Sequence, residues 1–198
     1  HDLPLAAGQR IGFASSHRLC CFSSTMLENQ QPLSARTQWA LFGLVFAATL
    51  ALDLATKHWA WTQLRPPSGG PWVIWPGVLE FAFAYNRGTA FSLVREVANP
   101  LVFLPITALV LAWVGYTIHK IGSGSVRFIG LGLVVGGALG NLHDRLFRID
   151  ALGDHGVVDF IVVHYPWGGS WPSFNLADSA LVLGTLILVW ALRKLPTS

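Results

Sequence analysis

The chain has 198 residues, of which 53% are hydrophobic and only 12% charged, against about 25% charged residues in an ordinary soluble domain. That balance argues against a soluble enzyme, and at about 20 apolar residues per bilayer crossing the length allows several spans plus loops in one compact membrane domain. The net charge of +3 comes from 13 basic residues scattered without a basic stripe, which sets nucleic acid aside as a partner.

Residues 1–25 precede the only methionine, Met26, and the hydrophobic patterning begins after it. They are expected to be a non-native or disordered extension, outside fold reasoning, which leaves 26–198 as a single four-span domain. The apolar stretches at Leu3 to Ala7 and Ile11 to Ala14 are too short for a secretory core of about 7–15 residues. Cys20 and Cys21 are adjacent, a spacing that suits neither an ordinary disulfide nor a zinc site.

Four hydrophobic runs predict spans over about 37–56, 100–118, 128–143 and 174–192. The first is uncharged except for Asp53 near its far end. In the second, Pro100 suits a helix start, and Pro105 should kink the helix or delay its beginning. The third is uncharged over 16 residues, about 24 Å of a ~30 Å hydrocarbon core, so Asp144 and Arg145 fall at the membrane boundary. Its Gly132, Gly136 and Gly140 have the small-xxx-small spacing of close helix contact in lipid, which makes this helix central. The fourth run carries Asp178 just over one turn in.

The loop between the first two runs has a pattern of its own. In Leu79 to Asn86, Phe81, Phe83 and Tyr85 alternate with Glu80, Ala82 and Ala84, the period of a strand. Asn86, Arg87 and Gly88 read as a turn, followed by a short extended piece, Thr89 to Ser92. With Trp72 to Trp75 this predicts a small sheet at the membrane surface. Tryptophans 59, 61, 72, 75, 167 and 171 suit an interfacial belt.

Four crossings put both tails on one side and the loops 57–99 and 144–173 on the other. The polar residues then gather on the loop side: Asp53 and Lys57 end the first run, Asn86 lies in the first loop, and Asn141, Asp144 and Arg145 end the third run. Asp159 lies in the third loop, and Asn175 and Asp178 open the fourth run. Ionisable groups at membrane depth cost about 2.5–3.5 kcal/mol each on insertion scales and mark function by default. The count of basic residues on the two sides is nearly tied and does not fix orientation. Assigning Lys57 and Arg145 to a site leaves the tails inside.

These side chains include neither a His-Glu-x-x-His zinc motif nor a Gly-x-Ser-x-Gly elbow, so no metal or cofactor is expected. Two aspartates can hydrolyse an amide if they share one proton: one carboxylate activates water while its protonated partner polarises the carbonyl. Asp159 and Asp178 are the pair these segments offer. Each polar group also has a structural reading. Asn175 suits an N-cap with Asp178 at the third helical position, a capping box that needs no catalysis, and Asp159 alone reads as a loop acid. Asp53 with Lys57 reads as an i,i+4 pair, and Asp144 with Arg145 as an interfacial ion pair.

Five blocks carry a family resemblance. Asp53-Leu-Ala-Thr-Lys57, Asn86-Arg-Gly-Thr-Ala-Phe-Ser92, Gly136-Gly-Ala-Leu-Gly-Asn-Leu-His-Asp-Arg145, Val157-Val-Asp-Phe-Ile161 and Phe174-Asn-Leu-Ala-Asp178 together resemble the lipoprotein signal peptidases, or signal peptidase II family, from Thr37 to Leu192. The resemblance implies an all-α membrane protein of four transmembrane helices with a small β-cradle at the outer surface of a bacterial inner membrane, tails cytoplasmic. It implies an aspartic endopeptidase that removes the signal peptide from prolipoproteins before a diacylglyceryl-modified cysteine; membrane lipids are the expected surroundings and a monomer the expected state. It assigns Asp159 and Asp178 as the catalytic dyad, and Asp53, Lys57, Asn86, Gly88, Asn141, Asp144, Arg145 and Asn175 to substrate-binding or supporting positions.

Two features depart from the family pattern. The segment Leu146 to Val158 is longer than usual and brings extra acids, Asp150 and Asp154, the latter a competitor for the first aspartate. Arg87 adds a charge to the Asn-x-Gly turn, placed to alter contact with headgroups or substrate. A small four-span proton or ion carrier, its aspartates forming a relay, is the alternative from another class. A purely structural four-helix subunit is a third reading, and neither explains why the acids gather on one face.

Overall fold

The computed structural model describes residues 33–87, 103–120 and 124–193; the extension at 1–25, Gly88 and the extended piece at 89–92 lie outside them. The described elements are α1 (Ala35–Gln63), β1 (Trp72–Trp75), β2 (Leu79–Asn86), α2 (Phe103–Lys120), α3 (Ser125–Phe147), β3 (Val157–Val163) and α4 (Leu176–Leu192). Two of the helices, α1 and α3, are long and apolar enough to cross a bilayer, while the apolar stretches of α2 and α4 are shorter. Pro105 falls in the first turn of α2, where the absent N–H costs nothing.

Helix α1 runs seven residues past the end expected at 56. Hydropathy ends a span at Lys57, but a charge does not end a helix. Lys57 is fully buried and paired with Asp53 one turn earlier at 2.7 Å, so the backbone continues. The extra turns carry Ala60 and Leu64 under the sheet, where they form a core with Val158 and Phe160. Trp59 and Trp61 are half-buried against that core, which removes them from the predicted surface belt; Trp72, Trp75, Trp167 and Trp171 are exposed.

The central place expected for α3 is what the glycines produce. A Cβ at Gly132 would stand 2.9 Å from Val45 and one at Gly136 2.8 Å from Thr49, so that stripe seats α1. A second face, through Gly137, approaches α4, where a Cβ would stand 2.5 Å from the carbonyl of Ala177. Backbones this close gain dispersion contacts over their whole length.

The three strands form an antiparallel sheet in the order β1-β2-β3. Strand β2 has the bounds of the alternating segment and β1 those of its expected partner, Trp72 to Trp75, whereas β3 lies in what was read only as the third loop. Its residues pair with β2 through Ala84 opposite Asp159 and Asn86 opposite Val157. The register shifts between Phe81 and Ala84, and Phe81, Phe83 and Tyr85 all pack around buried Val158 and Phe160.

Candidate active site

The far end of α1 supplies Asp53 and Lys57. One carboxylate oxygen of Asp53 accepts from the Ala177 backbone N–H at 2.9 Å and the other pairs with Lys57. A negative charge on the first turn of α4 complements that helix terminus. Gly140 makes room for the arrangement, since a Cβ there would stand 2.3 Å from Asp53.

Lys57 also donates to Oδ1 of Asn141 at 2.8 Å. This leaves the amide nitrogen of Asn141 to donate to Oδ1 of Asp178 at 2.8 Å. Asn175 and Asp178 form the capping box anticipated from their spacing: the side chain of Asn175 accepts from the Asp178 N–H at 3.0 Å, and Asp178 Oδ2 accepts from the Asn175 N–H at 3.2 Å. The cap does not compete with a chemical role, because Oδ1 of Asp178 is engaged separately and the residue is only half-buried.

Asp159 enters from β3, 2% exposed. Its Oδ1 accepts from the Asn175 side-chain amide at 2.7 Å, and its Oδ2 from Asn86 on β2 at 3.1 Å. Asn175 therefore touches both acids, Asp178 through its backbone and Asp159 through its side chain. Burial pushes the Asp159 carboxyl up to about 6, and the negative charge of Asp178 adds to the rise. The two asparagine hydrogen bonds and the charge of Lys57 hold it back.

The expected pairing of Asp144 with Arg145 is corrected. Asp144, fully buried, accepts from Arg148 Nε at 2.9 Å and from the Val158 N–H at 3.1 Å. Adjacent helical residues point about 100° apart, whereas residues four apart share a face, so Arg148 is the partner and α3 runs on to Phe147 to present it. The guanidinium of Arg145 lies within electrostatic reach of Asp159 and Asp178. Asp154, the competitor for the first aspartate, lies in an ion pair with Arg87 at 3.3 Å. Arg148, Tyr85 and Asp150 were not singled out as site-supporting by the sequence; only Arg148, at i+4 from Asp144, carried a local signal. Among the described residues no group of three or more His, Cys, Asp and Glu side chains is placed to hold a metal ion.

From Asp178 an apolar groove of about 430 Å³ runs along α4, lined by Trp171, Phe174, Ser179, Val182, Leu183 and Leu186. Such a groove suits an extended apolar chain, with a carboxylate at one end.

A buried carboxylate and a half-buried one thus meet through one asparagine beside an apolar groove, in a chain with two helices long and apolar enough to cross a bilayer. Comparison with known proteins gives the particular group. The family described as signal peptidase (SPase) II matches residues 45–194, and the chain belongs to that family of aspartic peptidases. It is 35% identical over 161 residues to a lipoprotein signal peptidase of Rhodococcus jostii, covering 80% of this chain and 75% of that one. Identity to the lipoprotein signal peptidase of Clostridium novyi is 37% over 154 residues, 76% of this chain and 97% of the relative. A solved bacterial membrane enzyme structure superposes with a TM-score of 0.65 at 27% identity, covering 83% of this chain and 97% of the other.

Proposed function

We infer that the protein is a four-span inner-membrane endopeptidase that removes signal peptides from diacylglyceryl-modified prolipoproteins, with Asp159 and Asp178 sharing one proton across the attacking water. The observation that carries this reading is the double engagement of Asn175, which draws the two acids together from a strand and a helix start. In the working state one carboxylate takes a proton from water as it attacks the carbonyl carbon before the lipidated cysteine. The protonated partner hydrogen-bonds to the carbonyl oxygen and then supplies the proton that the leaving amine needs.

The four spans are α1, α2, α3 and α4, with both tails cytoplasmic and the sheet at the outer surface. Acyl chains on the substrate cysteine remain in the bilayer and confine the scissile bond to the interface, where attack on a positioned bond has a lower entropic cost. The groove beside Asp178 supports this reading, since its apolar lining suits a chain arriving from lipid. A proton or ion relay is disfavoured, because residues 37–52, 103–117, 128–140 and 179–192 contain no Asp, Glu, Lys or Arg, and a relay would continue across the midplane.

Asp159→Asn and Asp178→Asn are each expected to abolish cleavage of a diacylglyceryl-modified peptide by the purified enzyme while its thermal unfolding transition persists. Turnover retained by either variant would overturn the dyad.

A further inference from the structure

The two departures from the family pattern, the charge at Arg87 and the acids of the long 146–158 segment, meet in space. Arg87 Nε donates to Asp150 Oδ2 at 3.0 Å, its Nη2 pairs with the same oxygen, and Asp154 Oδ2 stands 3.3 Å from Nε. Asp150 is itself fixed. Its Oδ1 accepts from the N–H groups of Leu152 and Asp154 at 2.8 and 3.0 Å, and its own N–H reaches the Asp154 carbonyl. The turn closes through Gly153 at φ +87°, a left-handed conformation that favours glycine. Tyr85 holds both ends of the turn, its hydroxyl lying 2.9 Å from the Arg148 carbonyl and 3.1 Å from that of Asp154. Burial and the nearby acids push this phenol up to about 12, which keeps it a donor.

Successive side chains of an extended segment point to opposite sides. Tyr85 and Arg87 therefore grip the turn, while Asn86 between them is directed to Asp159.

We propose that Arg87 is a positioning residue: its ion pair with Asp150 latches the 149–155 turn to the end of β2 and so holds the Asn86 amide on the Asp159 carboxylate. Its charge is paired within the protein by Asp150 and Asp154, while its side chain remains 41% exposed. The proposal rests on Asp159 being half of the dyad. Charges facing Asp159 come from Asp178 on α4, Lys57 on α1 and Arg145 on α3; β2 offers only the neutral Asn86. Losing that donor raises the proton affinity of Asp159.

The test uses the full chain in nanodiscs with a diacylglyceryl-modified peptide, comparing Arg87→Gln, Asp150→Asn, the double variant and the exchanged pair Arg87→Asp/Asp150→Arg. Each single variant is expected to lower kcat about tenfold, as misplacement of a supporting group does. KM should stay within about twofold, and the alkaline limb of the pH profile should move to higher pH. The double variant should be no worse than either single, since both remove one interaction, and the exchanged pair should recover part of kcat. A change in KM alone, additive losses, an unmoved limb, or loss of the unfolding transition in the single variants would overturn the latch. Turnover by Asp159→Asn would instead sink the dyad, an outcome separate from all of these.

Discussion

Lys57 and Asn141 lie 2.8 Å apart, Nζ to Oδ1, and that contact, with the Asn175 amide on the same oxygen at 3.2 Å, turns the nitrogen end of the Asn141 amide to Asp178. Lys57 also neutralises Asp53, and both side chains are fully buried. Lys57→Met is expected to destabilise the protein by about 3–5 kcal/mol, because it leaves a buried charge without its partner. The pair Asp53→Asn/Lys57→Met should recover most of that stability, since asparagine still accepts from Ala177. Turnover should fall, because the Asn141 amide is then oriented only by the longer hydrogen bond from the Asn175 side chain, at 3.2 Å. Thermal unfolding and cleavage measured on the same preparations separate the two effects; full turnover in the double variant would contradict the orienting role.

The raised Asp159 carboxyl predicts a pH dependence of stability. Its proton is held more tightly in the fold, at about 6, than in the unfolded chain, at 3.8. The contribution is therefore fully present below about pH 4 and lost as pH rises through 6. Asp159→Asn should accordingly unfold at a higher temperature than the parent at pH 7.5, by a difference on the order of 2 kcal/mol that shrinks toward pH 4. A variant less stable than the parent at pH 7.5 would show that the lost carboxylate hydrogen bonds outweigh relief from burial.

The same carboxyl sets an upper limit on the working pH of the free enzyme. A dyad that needs one shared proton loses it as the pair deprotonates, so kcat/KM should fall about tenfold per unit above an alkaline limb near 6. Rates that stay level from pH 6 to 9 would exclude a monoprotonated free enzyme.

Gly140→Ala places a methyl against Asp53 and should cost about 1–3 kcal/mol of stability together with most of the turnover. Gly43→Ala, with open space at its Cβ, is the control expected to leave both unchanged. Equal melting temperatures for the two variants would argue against close seating of α3 on α1.

Asp154→Asn should keep turnover within about twofold, because Arg87 retains its shorter contact with Asp150 and Asp154 is substantially exposed, where single ion pairs contribute ~1 kcal/mol or less. A profound loss would reassign the first acid.

Local periodicity made part of this molecule legible. The alternation of Phe81, Phe83 and Tyr85 gave a strand with its observed bounds, the glycine stripe marked the central helix, and Asn175 with Asp178 showed the helix start. What failed was information that periodicity does not carry. Val157 to Val163 is apolar at every position but Asp159, so no alternation distinguishes strand from loop, and its partners on β2 lie between 71 (Asn86 to Val157) and 84 (Leu79 to Val163) positions away. The ends of α1 and α3 were placed at charges because hydropathy cannot see that Lys57 and Asp144 are neutralised one turn away. Arg87 and Asp150 are 63 positions apart, with nothing between them to signal a meeting.

The capping box has a mechanical consequence. Because Asp178 is both the third residue of a helix and one of the two proposed catalytic acids, the point at which α4 begins winding sets the acid's compass bearing. One residue inserted between Asn175 and Asp178 would turn it by about 100° and swing it away from Asn141, although every side chain would still be present. The chain before the cap is fixed as well, since Phe174 exchanges backbone hydrogen bonds with Ile161 of β3 at 2.9 and 3.1 Å.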